Sequence, residues 1–403
     1  MRPPSQVQGT KTSSFRLPSI DILRGVIMVW MALDHTRDFF TDIRFEPETL
    51  AQTTVALFVT RWMTHFCAPM FFFLAGTGAF LYGQRRSPQE LRKFLWTRGA
   101  WLIVVEFTLV GLAWTFQLRG GFFGVIWALG ASMLALAMVI RLPVRLILAG
   151  SVAIIAGHNL LDRFRPQEFG SLAWLWGILH ARGDILLPGH IPQYVLFPLI
   201  PLAAVMAAGY AFGQVYTFDR ERRRRLMATV GLALTLAFLI LRATNCYGNP
   251  PAGQGGVSQG DWHPQASLER TVILFFDVEK YPASLQFLLM TVGPSLLALA
   301  ALDRDSVPPG ASPLRIFGRV PMFFYVLHLY LIHWMAVLVA VITHQPARWL
   351  FHGAVFAETP PGYGHSLPFV YLMWFVVLLL LYVPCWWFED LKRRRTDWWL
   401  SYL

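Results

Sequence analysis

The sequence predicts an all-α polytopic membrane protein, a bundle of about ten transmembrane helices with both termini in the cytoplasm. Only 14% of its 403 residues are charged and 55% are hydrophobic, whereas soluble domains carry about 25% charged residues. Apolar stretches close to the roughly 20-residue length that crosses a bilayer recur along the chain. Basic residues concentrate in the short segments between these stretches. The three observations exclude a soluble fold, and no long polar stretch is left for a separate soluble domain.

Ten apolar segments are the predicted transmembrane helices. They are 17–40, 61–83, 97–117, 122–140, 144–161, 194–216, 226–243, 285–302, 319–343 and 368–388. A further apolar stretch, 172–179, is too short to cross and is predicted to be re-entrant or interfacial. Two long connections, 180–194 and 245–266, are interpreted either as segments that face a substrate or as surface loops.

The distribution of Lys and Arg sets the predicted topology. With the N-terminus inside, the basic runs 222–225 and 392–395 both fall on the cytoplasmic side, as the positive-inside rule requires. The predicted domains are a flexible cytoplasmic N-terminus (1–16), one transmembrane domain (17–391) and a basic cytoplasmic tail (392–403). We therefore expect an integral, multi-pass protein of a bacterial cytoplasmic membrane.

The net charge of +11 does not indicate a nucleic-acid partner, because the basic residues lie between apolar spans rather than on one face of a soluble domain. The lipid bilayer is the expected partner instead. The three cysteines form no C-x-x-C pair, so neither a disulfide framework nor a metal site is indicated. The sequence leaves the oligomeric state open, a homo-oligomer included.

The first span carries an unusual density of ionisable residues. Each such group inside a membrane helix costs about 2.5–3.5 kcal/mol on insertion scales, so partners and a use are expected. Asp34 and Asp38 flank His35 near the external end. A carboxylate that orients an imidazole makes its other nitrogen a better base. This pattern fits acyl transfer or proton relay, with a polar group at the membrane interface as the alternative.

Other spans supply further candidates for the same site. His65 lies on the external side with His35, and Tyr325, His328 and His333 spread over about half the circumference of the ninth span. Two histidines in an apolar span are expected to face a polar interior. Packing roles for these histidines remain the alternative.

Four arginines are predicted to gather on the cytoplasmic side, where guanidinium groups suit phosphate oxygens. They are Arg24, Arg98, Arg315 and Arg319. An ion pair between Asp21 and Arg24 that fixes the helix end is the alternative interpretation for the first of them.

Three motifs resemble one known family. They are R-x-x-S-I-D-x-L-R-G at 16–25, H-F-x-A-P-x-F-F-F-L-A-G at 65–76 and G-R-V-P-x-F-x-Y-x-L-H-x-Y-x-I-H at 318–333. The chain resembles bacterial membrane proteins grouped with the catalytic domain of heparan-α-glucosaminide N-acetyltransferase, in the transmembrane acyltransferase superfamily. The resemblance implies transfer of an acyl group from cytoplasmic acyl-CoA to an acceptor across the membrane.

The resemblance also marks a departure. In the glucosaminide enzyme the active histidine lies in the loop after the first span, but residues 39–60 contain no histidine here. His35 falls where that enzyme carries asparagine, and His65 where it carries aspartate. The active group is therefore expected at His35 or His65.

The sequence-based hypothesis is an acyltransferase that moves an acetyl or other acyl group from acetyl-CoA or another acyl-CoA to a glycan amine or hydroxyl outside. His35 is the predicted base, oriented by Asp34 or Asp38, and His328 or His333 would polarise the thioester or protonate the thiolate. The donor would contact the four arginines and Tyr325, and no metal is expected. Direct transfer is favoured over an acyl-enzyme. The alternative is a proton-coupled transporter that uses the same groups.

Overall fold

The computed structural model describes residues 17–117, 122–251, 258–304, 306–351, 359–395 and 397–403. The predicted flexible N-terminus, 1–16, lies outside the described residues. The α-helices are α1 Pro18–Phe40, α2 Val55–Thr64, α3 Cys67–Gly83, α4 Pro88–Val105, α5 Gly111–Thr115, α6 Val125–Val139, α7 Val144–Gly157, α8 Ala173–His180, α9 Leu199–Phe212, α10 Arg220–Thr244, α11 Leu268–Phe276, α12 Leu285–Leu302, α13 Ser312–Arg319, α14 Pro321–Ile342 and α15 Leu367–Arg394. An antiparallel hairpin pairs β1, Gly183–Leu187, with β2, Ile191–Val195.

The helices confirm the predicted all-α polytopic membrane fold. Within the described residues, eight helical stretches are long and apolar enough to cross a bilayer: Val55–Gly83, Pro88–Thr115, Val144–Leu161, Leu199–Thr217, Arg220–Thr244, Leu285–Leu302, Pro321–Ile342 and Leu367–Arg394. The two remaining predicted spans are helical as well, the charged α1 with 23 residues and the shorter α6 with 15. The stretch 172–179 overlaps α8, which has only eight residues.

Several helix boundaries differ from the prediction by five residues or more, namely the starts of α2, α4, α9 and α10 and the end of α15. The chain is already helical from Val55, and the helix breaks between α2 and α3 at His65 and Phe66. Helix α4 begins at Pro88 in polar sequence, because Ser87 and Glu90 form a capping box there. Apolar length alone finds the membrane-crossing part of a helix and misses an extension that capping stabilises.

Glycine contacts bring two helix pairs into backbone contact. A Cβ atom on Gly25 of α1 would overlap the carbonyl oxygen of Leu314 in α13, and one on Gly318 would overlap the carbonyl oxygen of Asp21. Gly76 of α3 and Gly209 of α9 meet in the same way. Small residues at membrane helix interfaces permit this close approach. Gly25 belongs to the motif at 16–25 and Gly318 to the motif at 318–333. These two glycines therefore allow α1 and α13 to pack in direct backbone contact.

The buried carboxylate of Glu106 has a structural partner. Helix α4 continues into a π-helical turn, Glu106–Val110, and Glu106 Oε2 accepts a hydrogen bond of 2.7 Å from the backbone N–H of Trp127. That N–H belongs to the first turn of α6, where backbone donors lack partners within the helix. Glu106 thus caps α6 from a neighbouring helix.

Candidate active site

A cavity of about 1300 Å³ lies at the end of the bundle where α1 finishes. We call this the cavity end, and the opposite end, where α1 begins and α15 finishes, the basic end. The cavity walls include parts of α1, the loop after it, α2, α3, α5, α6, the β-hairpin, the segment before α12, and α14. Polar and aromatic groups on these walls include Asp34, His35, Arg37, Asp38, Arg44, Glu46, Arg61, Trp114, Arg182, Asp184, Gln193, Tyr194, Lys280, Tyr281 and Tyr325.

His35 and His328 form a hydrogen-bonded pair at the cavity wall. His35 Nδ1 lies 2.7 Å from His328 Nε2, and the rings stack with centroids 5.0 Å apart and an interplanar angle of 18°. His328 is fully buried, whereas His35 is partly exposed and lines the cavity. The two residues are 293 positions apart in the chain. The fold therefore joins two of the sequence-predicted site histidines.

The backbone fixes how this pair is protonated when both rings are neutral. His328 Nδ1 lies 3.0 Å from the carbonyl oxygen of Phe324, which can only accept a hydrogen bond. His328 Nδ1 must then carry the proton, so its Nε2 accepts the hydrogen bond that His35 Nδ1 donates. Within the described residues, the remaining nitrogen, His35 Nε2, has no hydrogen-bond partner, so its lone pair is free. A fixed tautomer of this kind prepares a histidine to act as a base.

Aromatic side chains hold the His35 ring in place. Trp114 packs edge-on against it at 4.9 Å, and Tyr325 does so at 6.2 Å. Trp114 is itself stacked on Phe39 at 5.4 Å. Tyr325, expected on the donor side, lies beside His35 and lines the cavity. The imidazole is consequently positioned by packing as well as by His328.

The predicted pairing of His35 with Asp34 or Asp38 is corrected by the structure. Both Asp34 oxygens accept hydrogen bonds from Arg61, at 3.0 and 3.1 Å, and Arg37 lies 3.0 Å from Asp34 and 2.6 Å from Asp38. Within the described residues, the hydrogen bond of His35 goes to His328 instead. A buried carboxylate is destabilising without a nearby cation, so Asp34 and Asp38 form ion pairs with the neighbouring arginines.

Arg61 joins this network to a carboxylate that sequence reasoning missed. Its Nε donates to Glu48 Oε1 at 2.8 Å, and His65 Nε2 lies 3.5 Å from the same oxygen. His65 is buried behind the network, in contact with Glu48 rather than with His35. Glu48 is one acid in a loop without a motif, and no local pattern distinguishes it. Burial alone would raise the pKa of Glu48, but Arg61 and His65 outweigh burial and hold that pKa well below its ordinary value.

This network predicts acid sensitivity. Because the folded-state pKa of Glu48 lies below its unfolded value of 4.5, its stabilising effect is present above that pH and is lost as pH falls further. We expect Glu48→Gln to lower the free energy of unfolding by about 3 kcal/mol at neutral pH. Below about pH 4.5 the variant should approach the wild type. Thermal unfolding in detergent from neutral to acid pH measures both, and two parallel pH curves would contradict the assignment.

His333 lies apart from the His35–His328 pair. Its ring nitrogens are 2.7 Å from the carbonyl oxygen of Ala113 and 3.0 Å from that of Leu350, and the ring stacks on Phe116 at 3.6 Å. These contacts tie α14 to α5 and to the turn Arg348–Phe351. Across the described residues, no group of three or more His, Cys, Asp or Glu side chains could hold a metal ion.

Three of the four predicted arginines at the basic end have side-chain partners in the structure. Arg24 donates to the carbonyl oxygen of Gly318 at 3.0 Å, and Arg319 bridges Asp21 at 3.2 Å and Glu389 at 2.7 Å. The expected Asp21–Arg24 ion pair is present at 3.7 Å. Arg98 stands apart, with its guanidinium over the rings of Phe94 and Tyr402.

Arg315 differs from the other three arginines. It lies on α13, the helix that crosses α1 at Gly25, and is only partly buried. Its Nε is buried and has no hydrogen-bond partner among the described residues. A guanidinium with unused donors is the more available group for an incoming anion.

The chain matches one family model, described as "Heparan-alpha-glucosaminide N-acetyltransferase, catalytic", over residues 16–243. This match covers more than half of the chain. The protein belongs to that family. No curated protein matches the sequence. The family and the helical bundle together establish an integral membrane protein with an acetyltransferase-like function, for which the family implies a donor of the acyl-CoA type.

The heparan-alpha-glucosaminide N-acetyltransferase match includes one half of the site. Arg24, His35, Glu48, Arg61 and His65 all fall within residues 16–243. The partners supplied by α13 and α14 fall after it, so the motif at 318–333 lies outside the matched region. The geometry nevertheless joins the two parts, through Arg24 with Gly318 and through His35 with His328.

Proposed function

We propose that the protein transfers an acetyl or other acyl group from acyl-CoA at the basic end to an amine or hydroxyl of a glycan in the cavity. The observation that carries this proposal is the His35–His328 pair, which presents a basic nitrogen at the wall of a cavity large enough for a sugar. We assign the basic end to the cytoplasmic side by the positive-inside rule. The membrane in this proposal is a bacterial cytoplasmic membrane.

His35 acts as the general base in this proposal. Its Nε2 takes the proton from the attacking amine or hydroxyl as the new bond to the acyl carbon forms. His35 Nδ1 keeps its hydrogen bond to His328, which spreads the developing positive charge over two rings. When the carbon–sulfur bond breaks, His35 returns the proton to the thiolate, so each turnover leaves the pair unchanged. The Tyr325 hydroxyl is the candidate donor to the developing oxyanion.

The basic end would hold the donor. The partly exposed Arg315 would bind the phosphates, with Arg24 and Arg319 positioned through Asp21, Gly318 and Glu389. Arg24 and His35 are 11 residues apart on α1, about 16 Å along the helix axis at 1.5 Å per residue. An extended pantetheine arm lying along α1 would bring the thioester to His35.

The cavity end offers polar groups for a sugar. Asp184 lines both the main cavity and an adjacent groove of about 610 Å³, in which Trp174 is an aromatic wall. Trp176 and Trp262 instead pack against Phe169 and Phe275. A saccharide of more than one unit could therefore extend past the hairpin, with its reacting group near His35.

The donor assignment is tested without an acceptor. Thermal unfolding of the purified protein would be followed with acetyl-CoA, free CoA and ATP. Ligand at a hundredfold excess over Kd stabilises by about 2.7 kcal/mol, so we expect a CoA-selective rise in Tm. The rise should be weakened in Arg315→Ala and kept in Arg304→Ala, which changes an exposed arginine at the same end whose Nε donates to the carbonyl oxygen of Ala301. Absence of a shift with any CoA thioester would contradict the donor and direct attention to transport.

A further inference from the structure

An exposed apolar surface follows the lipid-facing helix α7 along the chain. Few residues of the span Val144–Leu161 are buried within the protein, so most of its surface faces lipid. From the last turn of this span to the β-hairpin, six large apolar side chains remain between 36% and 62% exposed. We call them the apolar shelf: Leu160, Phe169, Leu172, Leu175, Leu186 and Ile191. Exposed apolar surface of this kind marks a contact with a membrane or with another protein.

Polar contacts hold the shelf at the end of α7. His180, the last residue of α8, places its Nε2 2.8 Å from Asp162 Oδ1, and Trp176 Nε1 donates to the Phe164 carbonyl oxygen at 3.1 Å. Ile185 of β1 packs in turn against α8. Because Asp162 and Phe164 directly follow the span, the shelf lies at the edge of the hydrocarbon region. Apolar side chains at that depth contact lipid rather than water.

The hairpin connects the shelf to the main cavity. Residues paired across an antiparallel hairpin share a face, and so do alternate residues along each strand. Asp184 pairs with Tyr194 and Leu186 with Pro192, so these four side chains lie on one face. Asp184, Pro192 and Tyr194 line the main cavity, and Asp184 and Leu186 line the adjacent groove. One face of the hairpin therefore runs from the main cavity to the shelf.

The groove of about 610 Å³ changes from polar to apolar along this face. At the cavity side, the exposed Asp184 carboxylate can accept hydrogen bonds from sugar hydroxyls, and Trp174 offers a ring for a sugar to stack on. At the other side the groove is lined by Leu186 and Pro188. Asp184 and Leu186 are only about 7 Å apart along the strand. The ligand that fits this arrangement has a polar head and an apolar tail.

We propose that the acceptor is a saccharide carried on a membrane lipid. Its lipid chain lies on the apolar shelf in the leaflet at the cavity end, and its sugar passes Asp184 into the main cavity towards His35. The inference rests on the proposed function for the word acceptor, but binding of a lipid-linked sugar in the groove does not depend on its reacting. Such an acceptor reaches the groove by diffusion within the membrane, which is why the groove adjoins the shelf.

The test uses the full-length protein in nanodiscs and no acyl donor. Two photoactivatable lipid probes carry the same diazirine close to the head group, one with a glucose head and one without the sugar. Labelled peptides are identified by mass spectrometry after irradiation. We expect the glucose probe to label residues 160–191 about tenfold more strongly than the sugar-free probe, the effect of one hydrogen bond to a charged group.

Three variants at exposed positions assign the labelling to the groove. Asp184→Ala removes the acceptor of the sugar hydroxyls and should abolish most of the preference for the glucose probe. Leu186→Gln places a polar group beneath the lipid chain and should lower labelling by the glucose probe severalfold. Leu268→Gln changes an exposed leucine at the start of α11, outside the groove, and should alter neither result.

Each outcome separates the inference from the proposed chemistry. Equal labelling by the two probes, or a preference that survives Asp184→Ala, would overturn the inference. Absence of both probes from residues 160–191 would also overturn it, because the shelf would then lie in water as a contact for another protein. A sugar preference that follows the variants, in a protein that transfers no acyl group, would support the lipid-linked ligand and contradict the acyltransferase.

Discussion

Replacing His35 by glutamine is expected to lower acyl transfer by about 10²- to 10⁴-fold, the contribution of a positioned general base. Glutamine keeps a hydrogen-bonding side chain beside His328 but cannot take up the proton of the attacking group. The KM for the acyl donor should stay unchanged, because its phosphates are bound at the other end of α1. Initial rates of acyl transfer in detergent, with donor and acceptor both varied, measure the effect.

Two further variants serve as comparisons for His35→Gln, one at the neighbouring histidine and one as a control. His328→Gln removes the ring that orients His35, so we expect a smaller loss in kcat with an unchanged KM for the donor, the result for a positioning residue. His263→Gln changes an exposed histidine in the segment between α10 and α11 and should have the rate of the wild type. If His35→Gln were as active as His263→Gln, His35 would not be the base.

Replacing Gly76 by alanine is expected to lower the free energy of unfolding by about 3 kcal/mol, the upper part of the usual range for overpacking. The new Cβ would overlap the carbonyl oxygen of Met206, which is backbone and cannot rotate away. Helices α3 and α9 would separate, and the hydrogen bond of 3.0 Å from Thr77 Oγ1 to the Gly209 carbonyl oxygen would lengthen. Thermal unfolding measures the change.

Gly78 on the same helix is the matched control. A Cβ there would meet no atom within 4 Å, so Gly78→Ala should be neutral or stabilise by about 0.5–1 kcal/mol through helix propensity. Similar losses for both variants would mean that α3 and α9 do not pack at Gly76. The two glycines are two positions apart on one helix, and among the described residues the backbone of α9 approaches Gly76 and not Gly78.

The helices were predictable because lipid leaves a spanning segment little alternative to a helix of sufficient apolar length. Each of the ten predicted spans is helical in the structure. What apolar length could not locate are features set by polar contacts, such as the start of α4 at its Ser87 capping box and the break at His65. The role of Glu106 as a cap for α6 depends on a neighbouring helix and has no local signal.

The candidate site was predictable residue by residue, but its contacts were not. Burial cost singled out His35 and His328 separately, whereas their hydrogen bond joins positions 293 residues apart. Proximity in the sequence suggested an Asp34–His35 pair, but the Asp34 carboxylate accepts hydrogen bonds from Arg61 of α2 instead. Glu48, Lys280 and Arg182 lie in loops without motifs, so only the fold places them at the cavity.

We propose that His35 catalyses the transfer of an acyl group from a donor at the basic end to an acceptor at the cavity end. The most direct measurement uses sealed vesicles that hold the protein in one orientation, with radiolabelled acetyl-CoA supplied only at the basic end and an impermeant amino sugar only at the cavity end. We predict labelled sugar on the cavity side with release of CoA on the other side, and none with His35→Gln. Labelled product that forms only when donor and acceptor share a side, or product made equally well by His35→Gln, would contradict the account.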